Sequence, residues 1–330
     1  MKIAVFSTKP HDREYLNKFN SNNRHQLTYF EAPLNADTTN LALGFEAVCI
    51  FVNDKIDAVT IENLFKIGVK LIDLRSAGFN NVDIEAAKNK NIKVMRVPAY
   101  SPEAVAEHAV ALILTLNRKT HKVYNRVRES NFSLENLIGF NLHGKIVGVV
   151  GTGKIGMAFC QIMLGFGCKV IAYDITESEM LKDKGIEYTT LVDLYKNSDI
   201  ISLHCPLNEK TKYLFDIKTF STVKKGVMLI NTSRGALIKT SDAIDALKKG
   251  QLGYLGIDVY EQEENLFFND LSESIIKDDL IERLMAFHNV LITPHQGFFT
   301  KEALDQIAIT TLKNFADFEE GLPLENEVKL

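Results

Sequence analysis

Cysteine is scarce in this sequence of 330 residues, and the cysteines present do not form pairs in the sequence. The four residues are Cys49, Cys160, Cys168 and Cys205; none belongs to a C-x-x-C pair, and most lie in strongly apolar stretches. This pattern excludes a disulfide framework and a zinc site, and it favours reduced thiols in a cytoplasmic protein. We therefore expect no bound metal.

The sequence also lacks a strong excess of charge and a long apolar run. Its formal net charge is −4, and Lys and Arg form no cluster, so neither a nucleic acid nor an anionic membrane is an expected partner. The longest apolar run, AVALILTL at 109–116, is too short to span a bilayer. The N-terminal stretch MKIAVFSTKPHDRE turns charged too early for a signal peptide.

What is present is an alternation of β-rich runs with amphipathic segments. The first hundred residues contain KIAVFST, QLTYFEA, AVCIFV, KLIDLRS and KVMRVP, and a second series runs from KIVGVV (145–150) to NVLITPH (289–295). Such alternation is typical of parallel βαβ units, and the length suggests two domains. Residues 101–129 predict one long helix leading into the second domain, and the tail ALDQIAITTLKNFADFEEG predicts another helix.

A glycine motif opens the second series. Gly151, Gly153 and Gly156 form G-x-G-x-x-G directly after the apolar strand KIVGVV and before a helical pattern. In this context the first glycine allows a tight turn, the second lets a pyrophosphate approach the backbone, and the third allows close helix–strand packing. The next strand ends at Asp174, whose carboxylate can bind both ribose hydroxyls and repel a 2′-phosphate. The motif therefore predicts NAD and not NADP.

Charged side chains follow three later strands, at the sheet edge where ligands bind in open α/β folds. Arg234 follows VMLINTS, His295 ends NVLITPH, and Asp258 begins the acidic run DVYEQEE. Each has an ordinary alternative, a loop cation or a packed histidine, but their joint position favours chemistry. Hydride transfer to a 2-keto acid needs a bidentate cation for the carboxylate, a proton donor that titrates near neutrality, and a carboxylate that orients this donor.

These motifs together resemble the D-isomer-specific 2-hydroxyacid dehydrogenases, and within them the lactate-type members. The resemblance covers the whole chain through AGFNNVD (77–83), VPAYSPEAVAEHA (97–109), VGTGKIG (150–156), SLHCPL (202–207), NTSRGALI (231–238), GIDVYE (256–261) and TPHQGF (293–298). It implies an α/β protein with two Rossmann-like or flavodoxin-like domains and parallel sheets. A cofactor domain (101–298) would be inserted into a discontinuous substrate domain (1–100 and 299–330), with the active site in a cleft closed by hinge motion.

The resemblance also assigns roles to individual residues. Arg234 corresponds to the arginine that binds the substrate carboxylate, and His295 to the proton donor. The partner glutamate of the family stands five residues after the Asp of the GIDVY-type strand, which selects Glu263. Substrate contacts correspond to Ala77, Gly78, Tyr100 and Phe298, and cofactor contacts to Gly151, Gly153, Lys154, Ile155, Gly156, Asp174, Cys205, Pro206, Thr232, Ser233 and Asp258. The remaining acids of the run, Glu261 and Glu264, are interpreted as solvated, and His108 as packed or capping.

One departure from the wider family concerns the loop after Glu263. The family glutamate is commonly followed by proline, whereas Glu264 stands here, and the extended segment 265–288 follows. A segment of this length is found in the lactate-type members. The resemblance therefore implies reduction of pyruvate to D-lactate with NADH, by a homodimer or tetramer.

Two alternatives stay open at this point. A larger branched or aromatic 2-keto acid would use the same chemistry, although Tyr100, Phe298 and Phe299 favour a small pocket. An enzyme for 3-phosphoglycerate is disfavoured because no extra phosphate-binding arginines stand near the substrate loop. An NAD-sensing binding module of the corepressor type shares this scaffold and would act through a partner surface.

Overall fold

The computed structural model describes residues 1–329, and the chain forms two compact units. The first unit comprises Met1–Ser101 together with the chain from Phe299 onward, and the second comprises Pro102–Phe298. These bounds differ from the expected domains only at Ser101, which lies in the first unit. The expected α/β fold with two parallel sheets is confirmed.

The first unit is built around a parallel sheet. Its strands are β1 (Lys2–Val5), β2 (Gln26–Tyr29), β3 (Ala47–Ile50), β4 (Leu71–Leu74) and β5 (Lys93–Arg96). Its helices are α1 (Pro10–Phe19), α2 (Ala58–Lys66), α3 (Ile84–Asn89) and, near the C-terminus, α12 (Lys301–Glu320). Among the described residues the sheet order is β2-β1-β3-β4-β5, and every pairing is parallel.

Both faces of this sheet are covered, as expected for a parallel sheet. Successive residues of β1 point to opposite faces, so Ala4 packs in one apolar cluster and Ile3 and Val5 in another. The second cluster includes Leu312 and Phe315 of α12, which explains why the C-terminal helix belongs to the first unit. The Thr300 hydroxyl caps α12 by accepting the Ala303 N–H at 3.3 Å.

The second unit contains a larger parallel sheet. Its strands are β6 (Ile146–Val150), β7 (Lys169–Tyr173), β8 (Glu187–Tyr188), β9 (Ile200–Leu203), β10 (Val227–Asn231), β11 (Leu252–Ile257) and β12 (Val290–Ile292). Its helices are α4 (Pro102–Arg118), α5 (Thr120–Arg128), α6 (Lys154–Gly165), α7 (Glu179–Asp183), α8 (Leu191–Asn197), α9 (Ile217–Thr222), α10 (Thr240–Lys248) and α11 (Asp279–Ala286). Over residues 1–329 its order is β12-β11-β10-β9-β6-β7-β8, which reverses direction between β6 and β9. Nucleotides bind at such switch points, at the carboxyl ends of the strands.

The prediction of a single long helix over residues 101–129 is wrong. The helix is interrupted at Lys119, whose φ of 52° lies in the left-handed region, so α4 and α5 are separate helices. The buried face of α4 includes Ala109, Ile113 and Leu116, whereas α5 has no buried residue among those described. The apolar face that fixes the helix against the sheet therefore ends near Leu116, and the polar continuation changes direction.

No helix within residues 1–329 is long and apolar enough to cross a membrane. The same part of the chain contains no cluster of three or more His, Cys, Asp or Glu side chains suited to a metal ion. The four cysteines are buried and form no disulfide.

Candidate active site

The glycine loop lies between β6 and α6 with a conformation that only glycine permits at its first position. Gly151 has φ +94°, and a Cβ there would lie 2.6 Å from the backbone nitrogen of Cys205. A Cβ on Gly156 would lie 2.0 Å from the Gly151 carbonyl oxygen. The first turn of α6 thus packs directly on the loop, as the motif predicts.

Gly153 differs from these two glycines because the space around it is open. It is the N-cap of α6, and a Cβ built on it would meet no described atom within 4 Å. Among the described residues no side chain caps this end of the helix, so its first amide groups remain available to an anion. The following Lys154 is exposed and Ile155 is half-buried. These residues fit the pyrophosphate of a dinucleotide, which needs close backbone approach at this point.

Asp174 stands directly after β7 and supports the same loop. Its Oδ2 accepts hydrogen bonds from the Thr152 amide at 2.5 Å and from the Thr152 hydroxyl at 3.1 Å. Burial alone would raise the pKa of Asp174, but these hydrogen bonds and one from the Thr176 amide lower it below the ordinary value. An ionised carboxylate therefore lies at the carboxyl end of β7, where a ribose would be recognised.

The loops after β9 and β10 are joined at the same sheet edge. The Ser233 hydroxyl donates a hydrogen bond to the Cys205 carbonyl at 2.7 Å, and the neighbouring Pro206 is exposed. The Thr232 hydroxyl is buried and has no hydrogen-bond partner among the described residues. Buried polar atoms are rarely left unpaired, so Thr232 is suited to contact a bound ligand. Burial raises the pKa of Cys205 to about 11, which keeps its thiol neutral.

Arg234 is placed by the turn that follows β10. The Asn231 side chain donates to the Arg234 carbonyl at 2.9 Å, and the guanidinium Nη1 donates to the Ser233 carbonyl at 2.7 Å. Within residues 1–329 no carboxylate lies within 4.0 Å of this half-buried guanidinium. A cation without an anionic neighbour at a ligand-binding edge is suited to receive a substrate carboxylate.

The turn after Arg234 also packs against the strand that leads to Glu263. A Cβ on Gly235 would lie 2.0 Å from the Tyr260 carbonyl carbon and 2.4 Å from the Glu261 amide nitrogen. Both neighbours are backbone atoms and cannot move aside cheaply. Gly235 therefore fixes the spacing between the loop that carries Arg234 and the loop that carries Glu263.

Glu263 and His295 lie within hydrogen-bond distance of each other. His295 Nδ1 lies 3.0 Å from Glu263 Oε1, and Glu263 Oε2 accepts the Tyr260 amide at 2.9 Å. The Phe268 ring lies 5.9 Å from the imidazole, centroid to centroid. Since one carboxylate oxygen is fixed by the backbone, the other orients the imidazole, and Nε2 is the ring nitrogen left for a substrate.

The loop that carries His295 is organised by Asp258. This buried carboxylate accepts the Gln296 amide at 2.9 Å, the Gly297 amide at 2.8 Å and the Thr293 hydroxyl at 2.5 Å. These bonds close the loop around His295, which has φ 56°. The cofactor contact expected of Asp258 stays a prediction. The hydrogen bonds present give this carboxylate a structural role, because they shape the turn that presents His295.

Two of the predicted substrate residues, Ala77 and Gly78, lie in the loop that follows β4 of the first unit. The Ala77 carbonyl accepts a hydrogen bond from Arg96 Nη1 at 2.7 Å, and the Gly78 carbonyl accepts one from the Ser76 hydroxyl at 2.9 Å. Of the expected pocket residues, Tyr100 is half-buried and Phe298 is buried at 9% exposure. The carbonyl groups of Ala77 and Gly78 are thus already used as acceptors, and the loop has its backbone N–H groups to offer to a substrate carboxylate.

The sequence from 110 to 297 matches the family model described as "D-isomer specific 2-hydroxyacid dehydrogenase, NAD binding domain". The chain belongs to the D-isomer-specific 2-hydroxyacid dehydrogenases. Its chemistry is that of an NAD-dependent oxidoreductase, and the matched range lies within the second unit, where the glycine loop is found.

Relatives cover this dehydrogenase over its full length. It is 51% identical over 328 residues to D-lactate dehydrogenase of Escherichia coli, with 99% of this chain and 100% of that protein covered. It is 50% identical over 328 residues to a 2-hydroxyacid dehydrogenase homolog of Haemophilus influenzae, with 99% of each covered. The apo-structure of D-lactate dehydrogenase from Escherichia coli matches with a TM-score of 0.91 at 49% identity, over 100% of both chains.

Two residues of this dehydrogenase have contacts that sequence reasoning missed. His108 Nε2 lies 3.2 Å from Asp258 Oδ1 and 3.0 Å from the Thr293 hydroxyl, so it joins the polar network below the His295 loop. Glu261 accepts hydrogen bonds from the Tyr213 hydroxyl at 2.5 Å and the Thr240 amide at 3.1 Å, so the prediction of a merely solvated acid is wrong. The partners are distant in sequence, and no local pattern pointed to them.

Proposed function

We propose that the protein is a D-lactate dehydrogenase, which reduces pyruvate to D-lactate with NADH. The observation that carries this proposal is the His295–Glu263 pair at 3.0 Å. Arg234 follows the neighbouring strand β10, and it has no carboxylate partner in the described part of the chain. The full-length identity of 51% to D-lactate dehydrogenase of Escherichia coli supports the substrate.

In the proposed reaction Arg234, His295 and Glu263 have separate roles. Arg234 binds the pyruvate carboxylate through two parallel N–H donors and sets the orientation of the keto group. His295, as imidazolium, gives a proton from Nε2 to the carbonyl oxygen, while Glu263 at Nδ1 stabilises the positive ring before the transfer. The chemistry that NADH supplies when bound is hydride transfer to carbon 2, so pyruvate, NADH and one proton yield D-lactate and NAD⁺.

The remaining substrate and cofactor residues complete this proposal. The amides of Ala77 and Gly78 receive the carboxylate, and Tyr100 and Phe298 limit the size of the methyl side, as the family resemblance implies. On the cofactor side, Gly153 and the first turn of α6 hold the pyrophosphate. The further cofactor contacts would come from Lys154, Ile155, Cys205, Pro206, Thr232, Ser233 and Asp258.

The cofactor is proposed to be NAD and not NADP, because the Asp174 carboxylate repels a 2′-phosphate. Its lowered pKa keeps the carboxylate charged throughout the neutral range. We expect kcat/KM for NADH to exceed that for NADPH by about 100-fold or more, because the 2′-phosphate would stand next to a carboxylate with no cation to compensate it. Steady-state rates with the two cofactors at saturating pyruvate test this, and equal values would refute the assignment of Asp174.

Substrate and product are tested together. The protein is mixed with NADH and, in separate reactions, pyruvate, 2-ketoisocaproate, phenylpyruvate and 3-phosphohydroxypyruvate, and loss of NADH absorbance is followed. The proposal expects the highest kcat/KM with pyruvate, and chiral chromatography is expected to give D-lactate. A preference for a larger acid identifies a different dehydrogenase of this family, and NADH binding without turnover of any acid identifies a sensing module.

We also propose that the enzyme works in the cytoplasm as a homodimer or tetramer. Buried, unbridged cysteines fit a reducing compartment, and the family resemblance implies the assembly. Light scattering coupled to size-exclusion chromatography measures the assembly, and a monomer at assay concentration would contradict it.

A further inference from the structure

In the loop Ser76–Phe79 after β4, the backbone carbonyl groups and the backbone N–H groups differ in their hydrogen bonding. Each of its carbonyl groups accepts one: Ser76 from the Val97 amide at 3.2 Å, Ala77 from Arg96 Nη1 at 2.7 Å, Gly78 from the Ser76 hydroxyl at 2.9 Å, and Phe79 from the Val82 amide at 3.1 Å. The acceptors of the loop are thus all in use inside the first unit.

Its donors are not. Within residues 1–329, the backbone N–H groups of Ala77, Gly78 and Phe79 donate to no acceptor, although these residues are half-buried. Successive amides that point away from satisfied carbonyls create a concave surface that attracts anions. Half-buried donors without partners are costly, so a ligand that accepts from them gains binding free energy.

Arg96 sets the direction of the central amide. A peptide unit is planar and trans, so the Gly78 N–H points opposite to the Ala77 carbonyl in the same unit. Because Arg96 Nη1 holds that carbonyl at 2.7 Å, it fixes where the Gly78 N–H points. Rotation of the peptide would break a charge-assisted hydrogen bond.

Arg96 is itself fixed at the end of β5. Its backbone N–H donates to the Asn326 carbonyl at 3.2 Å, and its own carbonyl accepts from the Asn314 side chain at 3.1 Å. Its guanidinium lies 5.1 Å from the centre of the Phe79 ring, and no carboxylate in the described chain lies within salt-bridge distance. The charge is therefore not neutralised, and it adds a positive potential to the amide surface.

We propose that Arg96 is a positioning residue for substrate binding: it aims the Gly78 amide at the substrate carboxylate and holds the loop through Phe79. The inference rests on the proposed function, in which the carboxylate of a 2-keto acid meets the Ala77–Gly78 loop. Arg96 contributes no proton and no covalent step, so its loss acts on binding before it acts on chemistry.

The test compares R96M, which keeps chain length and loses all donors, with R96K, which keeps the charge and one donor group. The matched control is R13M in the same unit, where an arginine stacks 5.0 Å from the Tyr29 ring, away from the loop. We expect R96M to raise KM for pyruvate and the inhibition constant of oxamate about tenfold, with kcat within about threefold of wild type. R96K is expected to lie between R96M and wild type, and R13M to behave as wild type.

The dissociation constant of NADH, measured by fluorescence, is expected to stay unchanged in all variants because no cofactor contact is removed. A folded R96M protein with wild-type KM and oxamate inhibition overturns the proposal, as does a fall in kcat alone that follows the fraction of folded protein. If R96M does not fold, R96K decides: a rise in KM supports the proposal and an unchanged KM overturns it. A wild-type protein that reduces no 2-keto acid overturns the proposed function as well, and this result is visible before any variant is compared.

Discussion

His295 Nδ1 and Glu263 Oε1 lie 3.0 Å apart, across the ends of two neighbouring strands of the second unit. The other oxygen of Glu263 accepts the Tyr260 amide, so the carboxylate cannot rotate without losing a bond. The imidazole is held through Nδ1, and Nε2 is left to exchange a proton with a substrate. In the proposed reaction this pair therefore sets which ring nitrogen transfers the proton and where that nitrogen points.

Replacement of Glu263 by Gln keeps the shape and removes the charge. The neutral amide stabilises the imidazolium less well during proton transfer, so kcat for pyruvate reduction should fall by about 10- to 100-fold. The neighbour Glu264 is exposed, and E264Q is the matched control with wild-type rates. Steady-state kinetics with pyruvate measure this loss, and wild-type kcat in E263Q would remove Glu263 from the mechanism.

Arg234→Lys tests whether the planar guanidinium is required. An ammonium group keeps the charge but cannot form two parallel hydrogen bonds with a carboxylate, so kcat/KM for pyruvate should fall about 10- to 100-fold. Arg283 on α11 is exposed, and R283K is expected to retain wild-type kinetics. Near-normal KM and kcat in R234K would show that the carboxylate binds elsewhere.

Gly153→Ala separates folding from cofactor binding. The added methyl group meets no described protein atom within 4 Å and the backbone φ of −63° suits alanine, so the melting temperature should not fall. The same methyl occupies the space that a pyrophosphate needs, and the dissociation constant of NADH should rise about tenfold or more. Gly165→Ala, at the other end of α6 and equally open, is the control and should bind NADH as wild type. Fluorescence titration makes the comparison, and unchanged affinity in G153A would place the pyrophosphate elsewhere.

The parts of the site that could be predicted from the sequence depend on short distances along the chain. The glycine loop, Asp174 and the strand ends follow from local patterns, whereas Glu263 was selected by the family resemblance, through its spacing from Asp258. His108 and Glu261 were missed because their partners, Thr293 and Tyr213, come from distant segments, and only the packed sheet brings them together. Their contacts are a property of tertiary structure.

Two features of the fold could not be predicted from the sequence, for a related reason. Local propensity continues helically through Lys119, but the helix ends where its apolar face stops contacting the sheet. The strand β8 is only two residues long, and its sequence shows no alternation that could predict it. In both cases packing sets the limits of the element, and packing is not visible in a single window of sequence.

The last prediction concerns stability and His25 of the first unit. This histidine is 3% exposed, and neither ring nitrogen has a hydrogen-bond partner among the described residues. Burial, together with the positive charge of the N-terminus, lowers the pKa of His25 below its ordinary value of 6.5. The unfolded chain therefore binds a proton at His25 more tightly than the folded chain does, so the free energy of unfolding falls as the pH drops below 6.5. His25→Phe and His25→Gln both remove this proton, and each should flatten the pH dependence between about pH 7 and pH 5, by at most about 1.4 kcal/mol per pH unit.

The two variants control each other, since Phe adds apolar contact and Gln leaves buried polar atoms without partners. Their absolute stabilities should therefore differ while their slopes agree. Urea unfolding followed by circular dichroism at several pH values measures both quantities. A wild-type slope in both variants would mean that His25 takes up its proton equally well in the folded and unfolded chain, and that the acid sensitivity arises from other groups.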